Sequence, residues 1–123
     1  DITILKTITT ENFSRNINNV TVASNLQEVE ANSNVFFTAF PDLQIKDSIL
    51  FIKDDHAFVN WMLTGTNIGV FGEISPTGKK VKISGFSHIY FTKTGKIFQE
   101  DIYYNELDLL QQLGYTLNLP IVE

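Results

Sequence analysis

The sequence predicts a segregated α+β domain, in which helices flank a run of consecutive strands. Two patterns predict it: apolar residues recur at helical spacing towards both ends of the chain, and the segments between them alternate with the period of two that is typical of strands. A chain of 123 residues suits one domain with one core. The 43% apolar and 12% aromatic content excludes a wholly disordered protein. We therefore expect one domain over residues 1–123.

The first third of the chain contains one strong helix signal. Residues 1–13 predict a short helix that leads into a strand near 18–22. The clear signal begins at Ser24, where a glutamine three positions later completes a pattern in which both side chains satisfy amides at a helix start. Apolar residues then recur at helical spacing until Pro41. A helix is therefore predicted over residues 24–40.

The middle of the chain carries the strand pattern. Most of these segments have apolar residues on both faces, so we expect both faces of the sheet to be covered. Short polar or glycine-containing turns separate them, as in hairpins. The predicted strands span residues 43–52, 57–66, 79–92 and 97–104. A short helix follows, with Asn105 as its N-cap and Gly114 in the left-handed position after its end.

Composition excludes several classes of partner. The chain has 14 acidic and 9 basic residues, a formal charge of −5, and Arg15 is its single arginine. Binding to nucleic acid or to an anionic membrane needs clustered positive charge, so neither is an expected partner. The longest apolar runs are far shorter than the roughly 18 residues of a membrane span. The chain opens with Asp1, which leaves the cytoplasm and export after removal of a leader both open.

The same inspection gives no cofactor or metal site. With no cysteine there is no disulfide framework, thiolate nucleophile or cysteine-ligated zinc. The two histidines, His56 and His88, lie far apart and give no metal-ligand spacing. The glycines at 65, 69 and 72 fit neither a dinucleotide fingerprint nor a P-loop, and they predict a flexible loop. We expect no cofactor and no metal.

The order and spacing of several short segments point to a known family. These segments are Ala39-Phe40-Pro41-Asp42-Leu43, Phe58 to Gly65, Ser75-Pro76-Thr77-Gly78-Lys79, Gly95-Lys96-Ile97 and Leu109-Leu110-Gln111-Gln112-Leu113-Gly114. Together they span about residues 24–114 and resemble the SnoaL-like polyketide cyclase family.

The resemblance implies a fold and an assembly. The fold is the cone of ketosteroid isomerase and nuclear transport factor 2, a strongly curved antiparallel sheet wrapped around helices, with an apolar pocket at its open end. The assembly is usually a homodimer formed through the sheet. Family members usually open with a long helix before the segment that resembles Ile2 to Phe13. That helix is expected to be absent from this chain as given, or to have lain upstream of Asp1.

The chain departs from the family at the residues of the chemistry. Family cyclases close a ring by an intramolecular aldol reaction, with an aspartate as general acid and base. The family runs Trp-Asp a few residues after the Gly-Lys-Ile turn, with a further Asp three residues on. Here those positions are Asp101, Ile102 and Asn105. Since isoleucine cannot transfer a proton, cyclase activity of the family type is not expected.

Other polar residues remain on the strands expected to line the cone. His88 matches a position where family members often place a histidine. On the neighbouring strand Glu100 shares a face with Phe98, Ile102 and Tyr104 by period two, so we expect it to approach His88 across the pair. A histidine next to a carboxylate in an apolar pocket is a candidate proton-transfer pair. A structural pair is the commoner role for such residues. His56 lies in a polar turn, where we expect a structural role.

The expected pocket combines this pair with residues of three strands and the final helix cap. Its ligand-lining residues are Phe58, Asn60, Met62, Phe86, Tyr90, Phe98, Ile102, Tyr104 and Asn105.

Three functions follow from these observations. The first is a pocket protein that binds a small apolar or polyketide-like molecule. The second is an isomerase, hydrolase or cyclase that uses His88 and Glu100 as acid and base. The third is a structural or dimerisation module whose pocket is filled by its own Phe and Leu side chains. The sequence leaves open whether the protein is an enzyme.

Overall fold

The structure is a computed structural model that describes residues 6–122. Six strands and two helices follow a short helical segment at residues 6–8. In chain order they are β1 (Thr9–Ile17), β2 (Val20–Ala23), α1 (Leu26–Ala39), β3 (Gln44–Lys53), β4 (His56–Thr66), β5 (Lys80–Phe91), β6 (Ile97–Tyr104) and α2 (Glu106–Gln112). The α+β class is confirmed, as are the helix and the four strands predicted between residues 24 and 104.

All six strands form one sheet in the order β2-β1-β6-β5-β4-β3. Neighbouring strands run antiparallel except β1 and β6, which pair in parallel. The sheet is curved, and it forms the cone that was expected. The parallel pair is an addition to the expected antiparallel sheet, and it joins the first described strand to the last one. The chain therefore folds back so that residues near its two ends meet at the middle of the sheet.

The prediction for the N-terminal region is partly wrong. Residues 6–8 are helical, but residues 9–17 form β1, and a turn at Asn18 and Asn19 leads into β2. Both turn residues have positive φ, 51° and 67°, which asparagine tolerates better than most residues. The rest of the predicted helix over residues 1–13, and the chain start where a first family helix is in question, fall on residues 1–5, outside the described residues.

The N-cap of helix α1 lies one residue later than predicted, and the helix itself begins at Leu26. Asn25, not Ser24, is the N-cap, and its side chain accepts a hydrogen bond from the Glu28 amide at 2.9 Å. The Glu28 carboxylate in turn accepts from the Ser24 amide at 3.0 Å. The Asn25 side chain thus accepts from an amide of the first helical turn, and the Glu28 side chain accepts from an amide just before the helix. This is the reciprocal capping that the sequence predicted one position earlier. At the end of the chain, Asn105 caps α2 as predicted by accepting from the Asp108 amide at 2.9 Å.

The core lies on the inner face of the sheet, under the two helices. One cluster joins the end of α1 to β4, β5 and α2, with Phe40 and Leu109 fully buried. A second cluster joins β1 and β2 to the start of α1 around Phe13 and Val29. Between these clusters, the inner face of β4, β5 and β6 is left to line a cavity.

Asn67 fastens the loop that the sequence predicted to be flexible. It is fully buried, and its amide donates to the Ala39 carbonyl at 3.2 Å and the Gly69 carbonyl at 2.8 Å. Its oxygen accepts from the Thr77 amide at 2.9 Å and hydroxyl at 2.8 Å. The loop is therefore tied to the end of α1, and Phe71 packs from it against Phe36 and Phe40.

Candidate functional site

A cavity of about 330 Å³ lies between α1 and the inner face of the sheet. This is at the lower end of the range for small-molecule sites. Most lining side chains are apolar, and they come from β1, α1, β3, β4, β5 and β6. The lining residues are Arg15, Ile17, Asn32, Ser33, Phe36, Phe37, Leu43, Ile45, Asp47, Val59, Trp61, Leu63, Ile83, Ser87, Ile89, Glu100, Ile102 and Tyr104.

The indole of Trp61 lies across the middle of this inner face. Gly85, its partner on β5, makes that position available, since a Cβ built there would lie 2.0 Å from the indole Cζ2. The indole nitrogen then reaches past Gly85 and donates to the Ser87 hydroxyl oxygen at 3.1 Å. The indole of Trp61 thus forms a large, flat, apolar wall of the cavity. Gly85 beneath it and the hydrogen bond to Ser87 hold it in one orientation.

One polar cluster interrupts the apolar lining. Arg15 on β1 pairs through Nε with Glu100 Oε1 on β6 at 2.8 Å, and both side chains are about four-fifths buried, at 16% and 20% exposure. Arg15 Nη1 also donates to Asn32 Oδ1 at 3.0 Å and to Ser33 Oγ at 2.8 Å on α1. The guanidinium therefore ties the sheet to the helix across one end of the cavity. Within residues 6–122, no hydrogen bond reaches Glu100 Oε2.

Tyr104 supplies a hydroxyl at another part of the cavity. It shares the inner face of β6 with Glu100 and Ile102. Burial, with a smaller contribution from the charge of Glu106, raises the pKa of Tyr104 to about 12, so its phenol stays protonated. No side chain of the described segment hydrogen-bonds this hydroxyl, so it can donate to a molecule in the cavity.

The opposite face of the same strands carries a different cluster. His56 Nδ1 and His88 Nε2 lie 2.7 Å apart, and the His88 ring stacks on Tyr90 with centroids 4.0 Å apart. Tyr90 donates its hydroxyl to Asp101 Oδ2 at 2.8 Å, and Asn16 and Gln99 donate to Oδ1 of the same carboxylate. All these groups lie on the outer face of the sheet.

Hydrogen bonds and burial set the titration of this outer cluster. Burial raises the pKa of Asp101, but the hydrogen bonds from Asn16, Gln99 and Tyr90 together outweigh it and leave that pKa below its usual value. The pKa of His88 is lowered, first by burial and then by the charge of His56, although Asp101 opposes the shift. The pKa of Tyr90 is raised to about 12 by burial and by its bond to Asp101. At neutral pH this favours an ionised Asp101 beside a neutral Tyr90 and His88.

The structure separates the residues that the sequence placed in one pocket. Glu100, Ile102 and Tyr104 line the cavity. Asn105 instead caps α2. The remaining predicted lining residues lie outside the cavity. They are on the outer face of the sheet, except for Phe98, whose ring contacts that of Tyr90 on this face. They are Phe58, Asn60, Met62, Phe86, Tyr90 and Phe98.

The expected contact between His88 and Glu100 is also absent, because the two side chains lie on opposite faces of the sheet. His88 pairs with Asp101, while Glu100 pairs with Ile89, so even positions of β5 face odd positions of β6. The register shifts between Tyr90 and Phe91, where Phe98 of β6 is left without a direct partner on β5. Directly paired residues share a face, so even positions of both strands cannot line one pocket. The predicted faces of β4 and β5 were therefore wrong, and on β6 Phe98 also lies outside the cavity.

Sequence reasoning missed the residues that shape the cavity on β1, β4 and β5. Arg15 was noted only as the single arginine, and nothing local indicates that β1 pairs with β6. Trp61 and Ser87 were not among the predicted lining residues. The signal that was available is the Trp61 and Gly85 pair, since a glycine inside a strand often marks the close approach of another group.

The described residues show neither a metal centre nor a membrane span. Residues 6–122 contain no group of three or more His, Asp or Glu side chains placed to hold a metal ion. None of the helices among these residues is long and apolar enough to cross a membrane. The polar groups in the cavity are instead suited to hydrogen bonding and proton transfer.

Comparison with known families identifies the chain. The sequence profile of the SnoaL-like polyketide cyclases matches residues 1–113. The chain belongs to this family. No curated protein is significantly similar to it in sequence.

Several solved structures show the same fold. A candidate SnoaL-like polyketide cyclase from Jannaschia sp. CCS1 superposes with a TM-score of 0.84 at 19% identity, over 94% of this chain and 80% of that one. AclR, a candidate hydroxylase from Streptomyces galilaeus, gives 0.80 at 22% identity, over 98% and 74%. TsrD from Streptomyces laurentii gives 0.79 at 18% identity, over 93% and 83%. At these identities the likeness extends to the fold and not to the reaction.

Proposed function

We propose that this SnoaL family member binds a small, mostly apolar molecule in the cavity and lacks the cyclase chemistry of the family type. The cavity itself carries the proposal, because about 330 Å³ of apolar space is bounded by fixed polar groups. A planar ligand fits beside the Trp61 indole, and Tyr104 or Arg15 can bind an oxygen of that ligand. Ile102 occupies the position where the family resemblance expects a carboxylate, and it supplies only apolar contact.

The cavity also supports this proposal over the alternative of a filled module. Phe and Leu side chains do pack the interior, but they do so around Phe40 and Leu109 at the closed end of the cone. Beyond that cluster, the space between α1 and the sheet stays open.

Fluorescence of the single tryptophan tests ligand binding directly. Because Trp61 lines the cavity, a bound aromatic or polyketide-like compound is expected to change its emission and to raise the melting temperature. The substitution Ile102→Phe fills the cavity and should abolish both effects. The matched control is Tyr103→Phe, one residue away on the outer face, which should preserve both. If no compound in a broad panel of apolar ligands changes either signal, the binding proposal fails.

A second candidate function, proton-transfer catalysis, is favoured by one observation. Glu100 presents Oε2 to an apolar cavity while Arg15 holds Oε1. A fixed carboxylate in such a place can serve as a general base. His88 lies on the other face, so the partner acid in this version is a cavity group such as Tyr104. An isomerase, hydrolase or cyclase activity using Glu100 should be lost in Glu100→Gln and kept in Asp101→Asn; equal activity in both variants excludes it.

We also infer that the protein forms a homodimer through its sheet, as the family resemblance implies. The outer face supports this inference, because it exposes large apolar side chains such as Phe51, Phe98 and Tyr103 at 54%, 38% and 37%. Light scattering coupled to size exclusion tests it: a mass near 28 kDa, twice the chain mass of 13.9 kDa, is expected. A mass near that of one chain at high concentration excludes the dimer.

A further inference from the structure

One donor group and one acceptor atom at the polar end of the cavity are free to bind a ligand. A guanidinium has five N–H donors, and Arg15 uses one of them from Nε to Glu100 Oε1 at 2.8 Å. Two more, on Nη1, go to Asn32 and Ser33 of α1. The remaining two are on Nη2, which donates to no group among residues 6–122. In the same part of the chain, Oε2 of Glu100 accepts no hydrogen bond.

Both free atoms are accessible, and they lie close together. Thr10 Oγ1 is the only side-chain polar atom of residues 6–122 that is fully buried without a partner, so packing does not close off Nη2 or Oε2. Arg15 and Glu100 both line the cavity. Nη2 shares one edge of the planar guanidinium with Nε, and Oε2 shares a carbon with Oε1, so both free atoms flank the 2.8 Å contact. The cavity therefore presents a donor beside an acceptor.

The sheet and helix α1 hold this pair in place. Arg15 and Glu100 are direct partners in the parallel pairing of β1 with β6. The two bonds from Nη1 fix the guanidinium to α1. The two side chains have only 16% and 20% of their surface exposed. Groups held in this way lose little freedom when a ligand binds, so they can discriminate between ligands by geometry.

The charges of the cavity lining disfavour an anionic ligand. The positive charge of Arg15 is already compensated by Glu100. Asp47, which pairs with Trp61 across β3 and β4, adds a second negative charge to the lining. It has no hydrogen bond or ion pair within residues 6–122. A carboxylate at Nη2 would also lie beside Oε2, where two acceptors meet without a proton between them and two negative charges repel.

We propose that the ligand of this cavity is a flat, uncharged molecule that carries an N–H donor beside a carbonyl, as a carboxamide or a lactam does, and that the Arg15–Glu100 pair selects it against carboxylates. This inference rests on the ligand binding proposed above. The ligand carbonyl accepts from Arg15 Nη2, and the ligand N–H donates to Glu100 Oε2. The rings of the ligand lie against the Trp61 indole.

Ligands of the same shape differ in how they satisfy these two atoms. An ester or ketone accepts from Nη2 but leaves Oε2 without a donor after water has been displaced. An unpaired charged acceptor in an apolar cavity weakens binding. A carboxylate leaves the same acceptor unpaired and adds the repulsion between two negative charges. The expected order of affinity is therefore amide, ester, carboxylate.

Three naphthalene derivatives test this order: 2-naphthamide, methyl 2-naphthoate and the 2-naphthoate anion. Naphthalene itself is the purely apolar control. Isothermal titration calorimetry with the full chain at pH 7.5 should give a dissociation constant for the amide that is at least about tenfold lower than that for the carboxylate. The ester should lie between them.

The other outcomes of this titration overturn the proposal in distinguishable ways. Equal affinities, or tighter binding of the carboxylate, refute the selection. Binding of naphthalene without binding of the amide also refutes it and leaves the proposed function standing. If none of the four compounds binds, the amide assignment fails, and the broad panel in the tryptophan fluorescence test decides separately whether the cavity binds any apolar ligand.

Two substitutions test the assignment of the selection to the ion pair. Glu100→Gln keeps the shape but leaves the charge of Arg15 uncompensated, so the preference should shift from the amide towards the carboxylate. The matched control is Asp101→Asn, the corresponding change on the outer face, which should keep the wild-type order. An unchanged preference in Glu100→Gln refutes the role of the pair.

A conservative change at Arg15 tests the free donor independently. Arg15→Lys keeps the positive charge but has no second nitrogen that can donate while the first holds Glu100. It should weaken the binding of 2-naphthamide several-fold and leave the binding of naphthalene unchanged. Wild-type affinity of Arg15→Lys for 2-naphthamide refutes the role of Nη2.

Discussion

The two faces of the sheet place neighbouring carboxylates in opposite settings. Glu100 points into the cavity and is held by the charged guanidinium of Arg15. Asp101 points outward and is held by the neutral groups of Asn16, Gln99 and Tyr90. One step along β6 therefore separates a side chain suited to ligand chemistry from one that braces an outer surface. The comparison shows that in this fold the role of a residue follows from its face.

The largest expected effect comes from a substitution at Gly85 that disrupts the packing on the inner face of the sheet. In Gly85→Ala the new Cβ would lie 2.0 Å from Trp61 Cζ2, so the indole must move and the Ser87 bond must break. We expect a loss of about 3 kcal/mol in the free energy of unfolding, at the upper end for overpacking. Urea denaturation measures it. Ser84→Ala, the adjacent position on the outer face, should change stability by less than about 0.5 kcal/mol; similar losses for both variants would contradict the inner-face role of Gly85.

Removing the guanidinium tests the polar end of the cavity. Arg15→Met leaves Glu100, Asn32 and Ser33 without their shared donor. A loss of about 2 kcal/mol is expected, because a largely buried carboxylate becomes uncompensated. The double variant Arg15→Met with Glu100→Gln should recover part of it in a double-mutant cycle. Strictly additive losses would show that the ion pair contributes nothing of its own.

The outer carboxylate should matter less. Asp101→Asn keeps the shape but weakens the bonds from Asn16 and Tyr90, and we expect a loss of about 1 kcal/mol at pH 7. Because the pKa of Asp101 is lowered in the folded state, its contribution is present above its ordinary value of 3.8 and is lost as pH falls through the lowered value. The difference in the free energy of unfolding between the variant and wild type should therefore be smaller at pH 3 than at pH 7. An equal gap at both values contradicts this assignment.

The smallest effect concerns His88 in the single chain. Its lowered pKa means that the folded state binds fewer protons than the unfolded state between that pKa and 6.5. Stability should therefore fall slightly as pH drops below about 6.5. His88→Phe should remove this dependence when measured at concentrations where the chain is monomeric. If the variant keeps the full slope, another group is responsible.

Local patterns predicted most of the fold between residues 24 and 114. The helical and alternating periods there come from residues close in sequence, and caps such as Asn105 act within one turn. Strand β1 escaped prediction because its partner on one side, β6, lies 85 residues away in the Arg15 and Glu100 contact. Residues 9–13 were therefore predicted to be helical, because the distant strand β6 that pairs with β1 is not apparent from the local sequence.

The candidate site was harder to predict than the fold, because it depends on register. Of the β6 residues assigned to the pocket, Glu100, Ile102 and Tyr104 do line the cavity, whereas Phe98 does not. His88 was assigned to the wrong face. The pairing of Glu100 with Ile89 depends on the turn between β5 and β6 and on the bulge at Phe98, and the alternating pattern of each strand alone does not give it. Such one-residue offsets leave no trace in a period-two pattern.

The parallel pairing of β1 with β6 has a consequence for how the protein is made. During synthesis β1 leaves the ribosome before the other five strands, yet one of its two neighbours in the sheet, β6, is the last of the six to appear. Until then β1 has only the short strand β2 beside it, and contacts of such long sequence separation form slowly. The Arg15–Glu100 ion pair can therefore form only after β6 has been synthesised. A nascent chain that stops before residue 97 has no complete cavity, even if its earlier segments have folded.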